Sequence, residues 1–475
     1  MNQKIFSSFA LALGLFATGL TAQAQSPAVT KGCGISPQVL KQIRAAQPAP
    51  AATRAWRNAL AGTSINQLAK TADNPAANDT YFSDEVRSKG VTDQQQSGRC
   101  WLFTGLNVLR ARTIARFGLG DFQFSQAYCF FYDQLEKSNL FLQAIIDNAG
   151  KPMDDKLVEW LFKNPLSDGG TFCGVQDVVT KYGLVPADVM PESYSANNTS
   201  RMAAIISLKL REYGLELRDK AAKGAKNTEL QARKVEMLST VYRILAACLG
   251  EPPTEFVWTR KDAAGKPADT KKYTPKSFYD EYVGADLNGY VMLMNDPSRP
   301  YHKTYTIDMD RHTYDGHQWT YLNLPVEEIK AMAIASIKDS TMMYFSCDVG
   351  KQLDSKTGLL ALDNYDYGAL FDTDFPMDKA DRIRTYASAS SHAMTLMAVD
   401  LDAEGRPTKW KVENSWGPSS GHHGHLIMTD RWFDEYMFRL VVDRKYVPAA
   451  TLELLRQKPV VLPAWDPLFG ARGDE

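Results

Sequence analysis

Cys100 opens a run, Cys100-Trp101-Leu102-Phe103, whose apolar character returns at Leu106 and Leu109. That spacing predicts a buried helix starting at the cysteine and ending near Phe117. A thiol is a useful nucleophile only as thiolate, and the first turn of a helix favours that anion through its N–H groups and positive dipole end. Gln94 stands six residues earlier, in Gln94-Gln95-Gln96-Ser97-Gly98-Arg99-Cys100. Its side-chain N–H can donate towards an oxyanion, with the backbone N–H of Cys100 as the second donor. A base is offered by Ser391-His392-Ala-Met394-Thr-Leu396-Met-Ala398, read as a strand with His392, Met394, Leu396 and Ala398 on one face. A lone histidine there is more often a satisfied core residue, and a second strand changes that balance. Trp410, Val412 and Asn414 share a face opposite Lys409, Lys411 and Glu413. An amide among apolar residues must find a partner, and an imidazole N–H suits it. Trp416 could then shield that bond from water.

The elements that must carry these groups are helices first and strands later. Residues 46–80, rich in Ala, Pro, Thr and Asn, read as an arm or loosely packed lead-in. Asp168-Gly169-Gly170 marks a tight turn before a helical run through Tyr182. Residues 200–249 carry helical periodicity (Leu208, Leu210, Leu215, Leu217, then Met237, Val241, Leu245), stopped by Gly250-Glu251-Pro252-Pro253. The stretch 254–325 has no clear pattern. From 340 onward, Met342–Phe345, His392–Val399 and Lys409–Glu413 read as strands. The expectation is an α+β fold, helices followed by an antiparallel sheet.

The ends and the composition limit the functions available. Lys4, the uncharged apolar stretch Ile5–Leu20 and the small-x-small site Ala22-Gln23-Ala24 form an export signal, with a mature chain from about Gln25. Sixteen apolar residues are short for a membrane span, so no membrane attachment is expected after cleavage. With 54 basic and 55 acidic residues, the chain has no general attraction for nucleic acid or anionic lipid. Six scattered cysteines without a CxxC pair give neither a zinc site nor a disulfide framework. Cys129 and Cys347, inside apolar runs, read as core.

The combination Gln-x5-Cys-Trp, strand-borne His and Asn-Ser-Trp-Gly resembles the papain-like cysteine peptidases. The bleomycin hydrolase branch, also called aminopeptidase C, is the closer resemblance. It rests on Ser97-Gly-Arg-Cys-Trp101, Asp168-Gly-Gly170, Cys347-Asp-Val-Gly-Lys351, Ser391-His-Ala-Met-Thr395, Val412-Glu-Asn-Ser-Trp-Gly417 and Leu462-Pro-Ala-Trp-Asp-Pro467. His392 lies 292 residues after Cys100, against about 130 to 150 in simple papain-like enzymes. The resemblance implies a papain-like fold, a helical lobe plus an antiparallel β lobe, with a large helical insertion that also builds an assembly contact. The domains expected are a signal peptide (1–24), an N-terminal arm (25–80), a helical lobe (81–195), a helical insertion and oligomerisation region (196–335), a β lobe (336–460) and a C-terminal tail (461–475). It assigns Cys100 as nucleophile, His392 as acid/base, Asn414 as orienter and Gln94 as oxyanion donor. Gly169, Gly170 and Trp416 become substrate-side residues, the glycine pair because a side chain would block the peptide backbone. Ser97 stands where papain-like enzymes usually carry a disulfide-forming cysteine.

The resemblance also places the chain end in the cleft, where a carboxylate selects a free amine and makes an aminopeptidase. Here the residues after Pro467 (Leu-Phe-Gly-Ala-Arg-Gly-Asp-Glu) are longer and more charged than the usual ending, so self-trimming towards Ala471 is expected. The implied partners are peptides with a free N-terminus and further copies of the chain, as a homohexamer. No cofactor or metal is called for. The rivals are an exported endopeptidase with an open cleft and an inactive binding protein on the same fold. Gly417-Pro-Ser419-Ser-Gly421 imitates a serine-hydrolase elbow but leads towards a strand, not a helix. His422, His423 and His425 lie in a glycine-flanked turn without companion ligands. An export signal on a thiol enzyme predicts periplasmic or secreted location, and activity that rises with reductant.

Overall fold

The computed structural model describes residues 33–47, 51–72, 74, 76 and 79–470. The export-signal reading and the last five residues fall outside them. Two compact units are present, divided after Leu68. The first is helical: Pro37–Ala45, started by the Ser36 hydroxyl on the Val39 N–H, then Ala51–Gly62, with a short helix from Ile65 at its end. The stretch 46–80, read as an arm or loosely packed lead-in, carries the helices Ala51–Gly62 and Ile65–Ala69.

In the second unit the Cys100–Phe117 helix has the bounds its periodicity predicts, and is buried along most of its length. Gly118 ends it in the left-handed region, φ 59°, where a side chain is disfavoured. Gln126–Asp147 and Phe172–Tyr182 pack beside it. Ser200–Ala222 and Asn227–Leu249 form the expected helical pair, packed on Gln126–Asp147.

One sheet of twelve strands carries the other half of the chemistry. Its order runs Val460–Leu462, Lys303–Ile307, Thr320–Asn323, Tyr290–Met294, Met437–Asp443, Met343–Cys347, His392–Leu401, Pro407–Glu413, His425–Thr429, Leu359–Leu360 and Leu353–Asp354, with Asp84–Glu85 on the side of His392–Leu401. This corrects two expectations. The sheet is mixed: Val460–Leu462, Thr320–Asn323 and Leu359–Leu360 each make a parallel pairing. The stretch 196–335 is helical over the pair at 200–249, at Pro275–Tyr282 and at Val326–Lys338, yet it also supplies the Phe256–Lys261/Pro267–Tyr273 hairpin and three strands of the main sheet. Short strands with mixed polar residues carry too little alternation to be read locally. His392–Leu401 lies mid-sheet and is buried on both faces over His392–Val399, which accounts for its near-continuous apolar sequence. A bulge between Leu396 and Ala398 breaks the simple alternation expected there.

The nucleophile helix and the Asn414 strand are joined by a buried ion pair, Arg110 Nη2 to Glu413 Oε1 at 2.6 Å, with both side chains 1% exposed. Burial pushes the Glu413 carboxyl up, against the downward pull of Arg110.

Candidate active site

Three distant segments converge on a cavity of about 300 Å³ lined by Gln94, Cys100, Gly169, Gly170 and His392. Cys100 arrives at the first residue of its helix, where N–H groups have no carbonyl to bond within the helix. No side chain caps that end. The start is fixed by the Asp168 carboxylate, which accepts the Gly98 N–H at 2.7 Å and the Thr199 hydroxyl at 2.5 Å. Gly98 has to be glycine, because a Cβ would fall 2.3 Å from Asp168 Oδ1. Arg99 is fully buried, paired with Glu192 at 2.7 Å.

His392 Nε2 lies 2.8 Å from Asn414 Oδ1, and the Ser415 backbone N–H donates to the same oxygen at 2.8 Å. A backbone N–H can only donate, so that atom is the amide oxygen and His392 Nε2 must carry the proton. The other ring nitrogen, Nδ1, is left with the lone pair a base needs. Burial pushes the imidazole down to about 4, with the Asn414 bond pulling back upward. Asn414 Nδ2 is buried and makes no hydrogen bond, an uncompensated cost of about 1–3 kcal/mol tolerated where the oxygen is needed. Trp416 lies against His392, ring centroids 4.8 Å apart. Its ring covers the imidazole from one side.

Gln94 is locked at both ends of its amide. Its Nε2 donates to the Ser97 carbonyl at 2.5 Å, and its Oε1 accepts from the Ser415 hydroxyl at 2.7 Å. A second N–H on Nε2 remains for the cavity. The Ser97 hydroxyl is itself held by the Gln94 carbonyl at 2.6 Å, and none of the described cysteines is joined in a disulfide.

The two glycines are not equivalent. Gly169 N–H donates to Ser167 Oγ at 3.1 Å, and its carbonyl accepts from Lys137 at 2.7 Å. Gly170 makes no backbone hydrogen bond to the described residues. Its glycine identity is enforced from the protein side: a Cβ would fall 2.2 Å from His312 Cε1 and 2.7 Å from Trp101 Cδ2. This interior constraint stands beside the expected one, obstruction of the peptide.

Sequence reasoning missed Arg439 and Leu468, which line the same cavity. Arg439 is buried and donates to the Leu468 carbonyl at 3.0 Å. The tail reaches this point through the Val460–Leu462 strand, the Lys156 ammonium over the Trp465 ring at 4.3 Å, and an Asp466–Arg299 ion pair at 2.5 Å. The expected placement of the tail in the cleft already pointed to the neighbourhood of Leu468; Arg439, inside an apolar strand, gave no local sign. Among the described residues, no group of three or more His, Cys, Asp or Glu is placed to hold a metal. His422 and His425 face each other across a tight turn.

A model of the Peptidase C1-like family matches residues 34–469. The chain belongs to that family. Human bleomycin hydrolase is 41% identical over 390 residues, 80% of this chain and 86% of that protein. Aminopeptidase C of Streptococcus thermophilus is 38% identical over 416 residues, 87% of this chain and 94% of its own. A crystal structure of PepW from Lactobacillus rhamnosis superimposes with a TM-score of 0.88 at 37% identity, covering 92% of this chain and 99% of that one. The papain-like fold read from the sequence is thus the fold of this C1-like peptidase, with its sheet mixed.

Proposed function

We propose that this peptidase is a cysteine aminopeptidase that removes N-terminal residues from peptides. The observation that carries the reading is the seating of Leu468, by way of Arg439, in the wall of the cavity that holds Cys100 and His392. A cleft partly filled by the chain's own end shortens the space for residues on the amine side of the scissile bond. The names of the similar proteins support the same reading.

The steps follow from the hydrogen-bond assignments. His392 Nδ1 takes the Cys100 proton, and the resulting imidazolium, disfavoured alone by burial, is sustained beside the thiolate. The thiolate attacks the peptide carbonyl. Gln94 Nε2–H and the Cys100 N–H stabilise the oxyanion. Imidazolium returns the proton to the leaving amine, and water, activated by the same Nδ1, hydrolyses the thioester. Asn414 keeps the ring in the required tautomer.

Fluorogenic dipeptides with free and blocked amines, with Cys100→Ala as control, test the reading. Free-amine substrates should be cleaved and blocked ones left nearly intact; equal cleavage would instead identify an open-cleft endopeptidase. Self-trimming of the tail towards Ala471 belongs to the same proposal, and mass spectrometry of wild type and Cys100→Ala checks it. An intact Glu475 in active enzyme would count against it. Export with cleavage near Gln25 is checked by N-terminal sequencing, and sixfold assembly by light scattering.

A further inference from the structure

Beneath the glycine loop lies a buried polar cluster with no counterpart among the catalytic groups. The Thr171 backbone N–H donates to His312 Nε2 at 3.1 Å, and His312 Nδ1 lies 2.5 Å from Asp133 Oδ1. Because the Thr171 N–H can only donate, Nε2 is the acceptor and Nδ1 carries the proton given to Asp133. Asp133 Oδ2 also pairs with Lys137 at 2.9 Å. Burial acts to raise the Asp133 carboxyl, but Lys137 and His312 outweigh it and hold it low, so it stays ionised. Lys137 in turn donates to the carbonyls of Ser167 at 3.0 Å and Gly169 at 2.7 Å. The Trp101 indole donates to the Asp168 carbonyl at 2.8 Å, and its ring lies 4.6 Å from the imidazole.

This cluster engages the carbonyls of residues 167, 168 and 169 and the N–H of residue 171. Gly170 alone in that stretch has both its N–H and its carbonyl unbonded by any described residue, and it lines the catalytic cavity. The imidazole lies flush on the loop: a Cβ at Gly174 would meet His312 Cε1 at 2.3 Å, as one at Gly170 would at 2.2 Å. We propose that His312 is a positioning residue, which with Asp133 and Lys137 sets the free peptide groups of Gly170 towards the backbone of a bound peptide. The proposal rests on the peptidase reading of the cavity. A loop held at every neighbouring polar group can present one unbonded pair without collapsing onto its own hydrogen bonds.

Alkylation of Cys100 by iodoacetamide reads thiol reactivity. The concentration of a free-amine dipeptide that halves that rate reads peptide binding without turnover. In His312→Ala, that half-protection concentration and the KM should both rise about 10- to 100-fold, while unprotected alkylation stays within about twofold of wild type. Asp133→Asn, which keeps the shape and removes the charge that orients the ring, should move the same two quantities by a smaller factor. Unchanged protection in His312→Ala overturns the proposal. So does alkylation that falls in step with protection, which marks a general collapse of the site, and so does failure of both variants to fold, which marks a role in the scaffold. Protection of wild-type thiol by a peptide that is never hydrolysed would instead sink the peptidase function and leave the brace standing.

Discussion

His392 and His312 are both buried, both touch a tryptophan and both are oriented by a side-chain oxygen. They carry the proton on opposite ring nitrogens. The Asn414 carbonyl takes the Nε2–H of His392 and leaves Nδ1 available. At His312, Asp133 takes the Nδ1–H and the Thr171 N–H consumes the remaining lone pair. A neutral amide orients the first ring without holding it in one charge state, while an ionised carboxylate and a backbone amide immobilise the second. Whether a buried histidine does chemistry or carpentry is decided by what its partners leave unused.

The comparison breaks most severely if the spare nitrogen is removed. His392→Ala should lower kcat/KM by about 10⁵-fold or more, comparable to Cys100→Ala, in a steady-state assay. Retention of a few per cent of wild-type activity would show that another group serves as base. Next comes the buried tie that holds the Asn414 strand to the nucleophile helix. Glu413→Ala strands the Arg110 charge and should cost about 3–5 kcal/mol in denaturant unfolding, whereas Arg110→Met with Glu413→Leu should recover most of that loss. Gln94→Ala removes one oxyanion donor and should lower kcat about 10²- to 10³-fold with KM little changed. A change confined to KM would reassign Gln94 to ground-state binding.

The smallest effect is a pH dependence that separates the two rings. His392 has its folded value pushed down to about 4 from an ordinary 6.5. Between those values the unfolded chain binds the extra proton and the folded one does not. Stability from this group is therefore complete above pH 6.5 and falls as pH is lowered towards 4, by at most ~3 kcal/mol. Unfolding midpoints in denaturant across that window, compared with His392→Gln, check the sign. The acid limb of kcat/KM should lie near pH 4 as a property of the thiol–imidazole pair.

The reacting half of the site was legible because its signals are local. The apolar spacing after Cys100 fixed a helix with the bounds observed, and the face shared by Trp410, Val412 and Asn414 placed the amide towards His392. The supporting half was illegible because its partners lie far apart in sequence. His312 comes from the stretch with no periodic pattern and meets Asp133 across 179 positions, while Arg110 reaches Glu413 across 303. Burial of a polar residue leaves no trace in a hydrophobic period. At Gly170 the interior adds a reason for glycine that the sequence does not display, the clash of a Cβ with His312 and Trp101.

The tail strand Val460–Leu462 pairs with Tyr305–Ile307, and Leu468 completes a wall whose first contributor is Gln94. The cavity therefore depends on contacts that span nearly the whole second unit, the kind that form late in folding. A chain that stopped before Leu468 would hold Cys100 and His392 in a cavity lacking one side of its wall. Completion of the site is thus tied to completion of the chain.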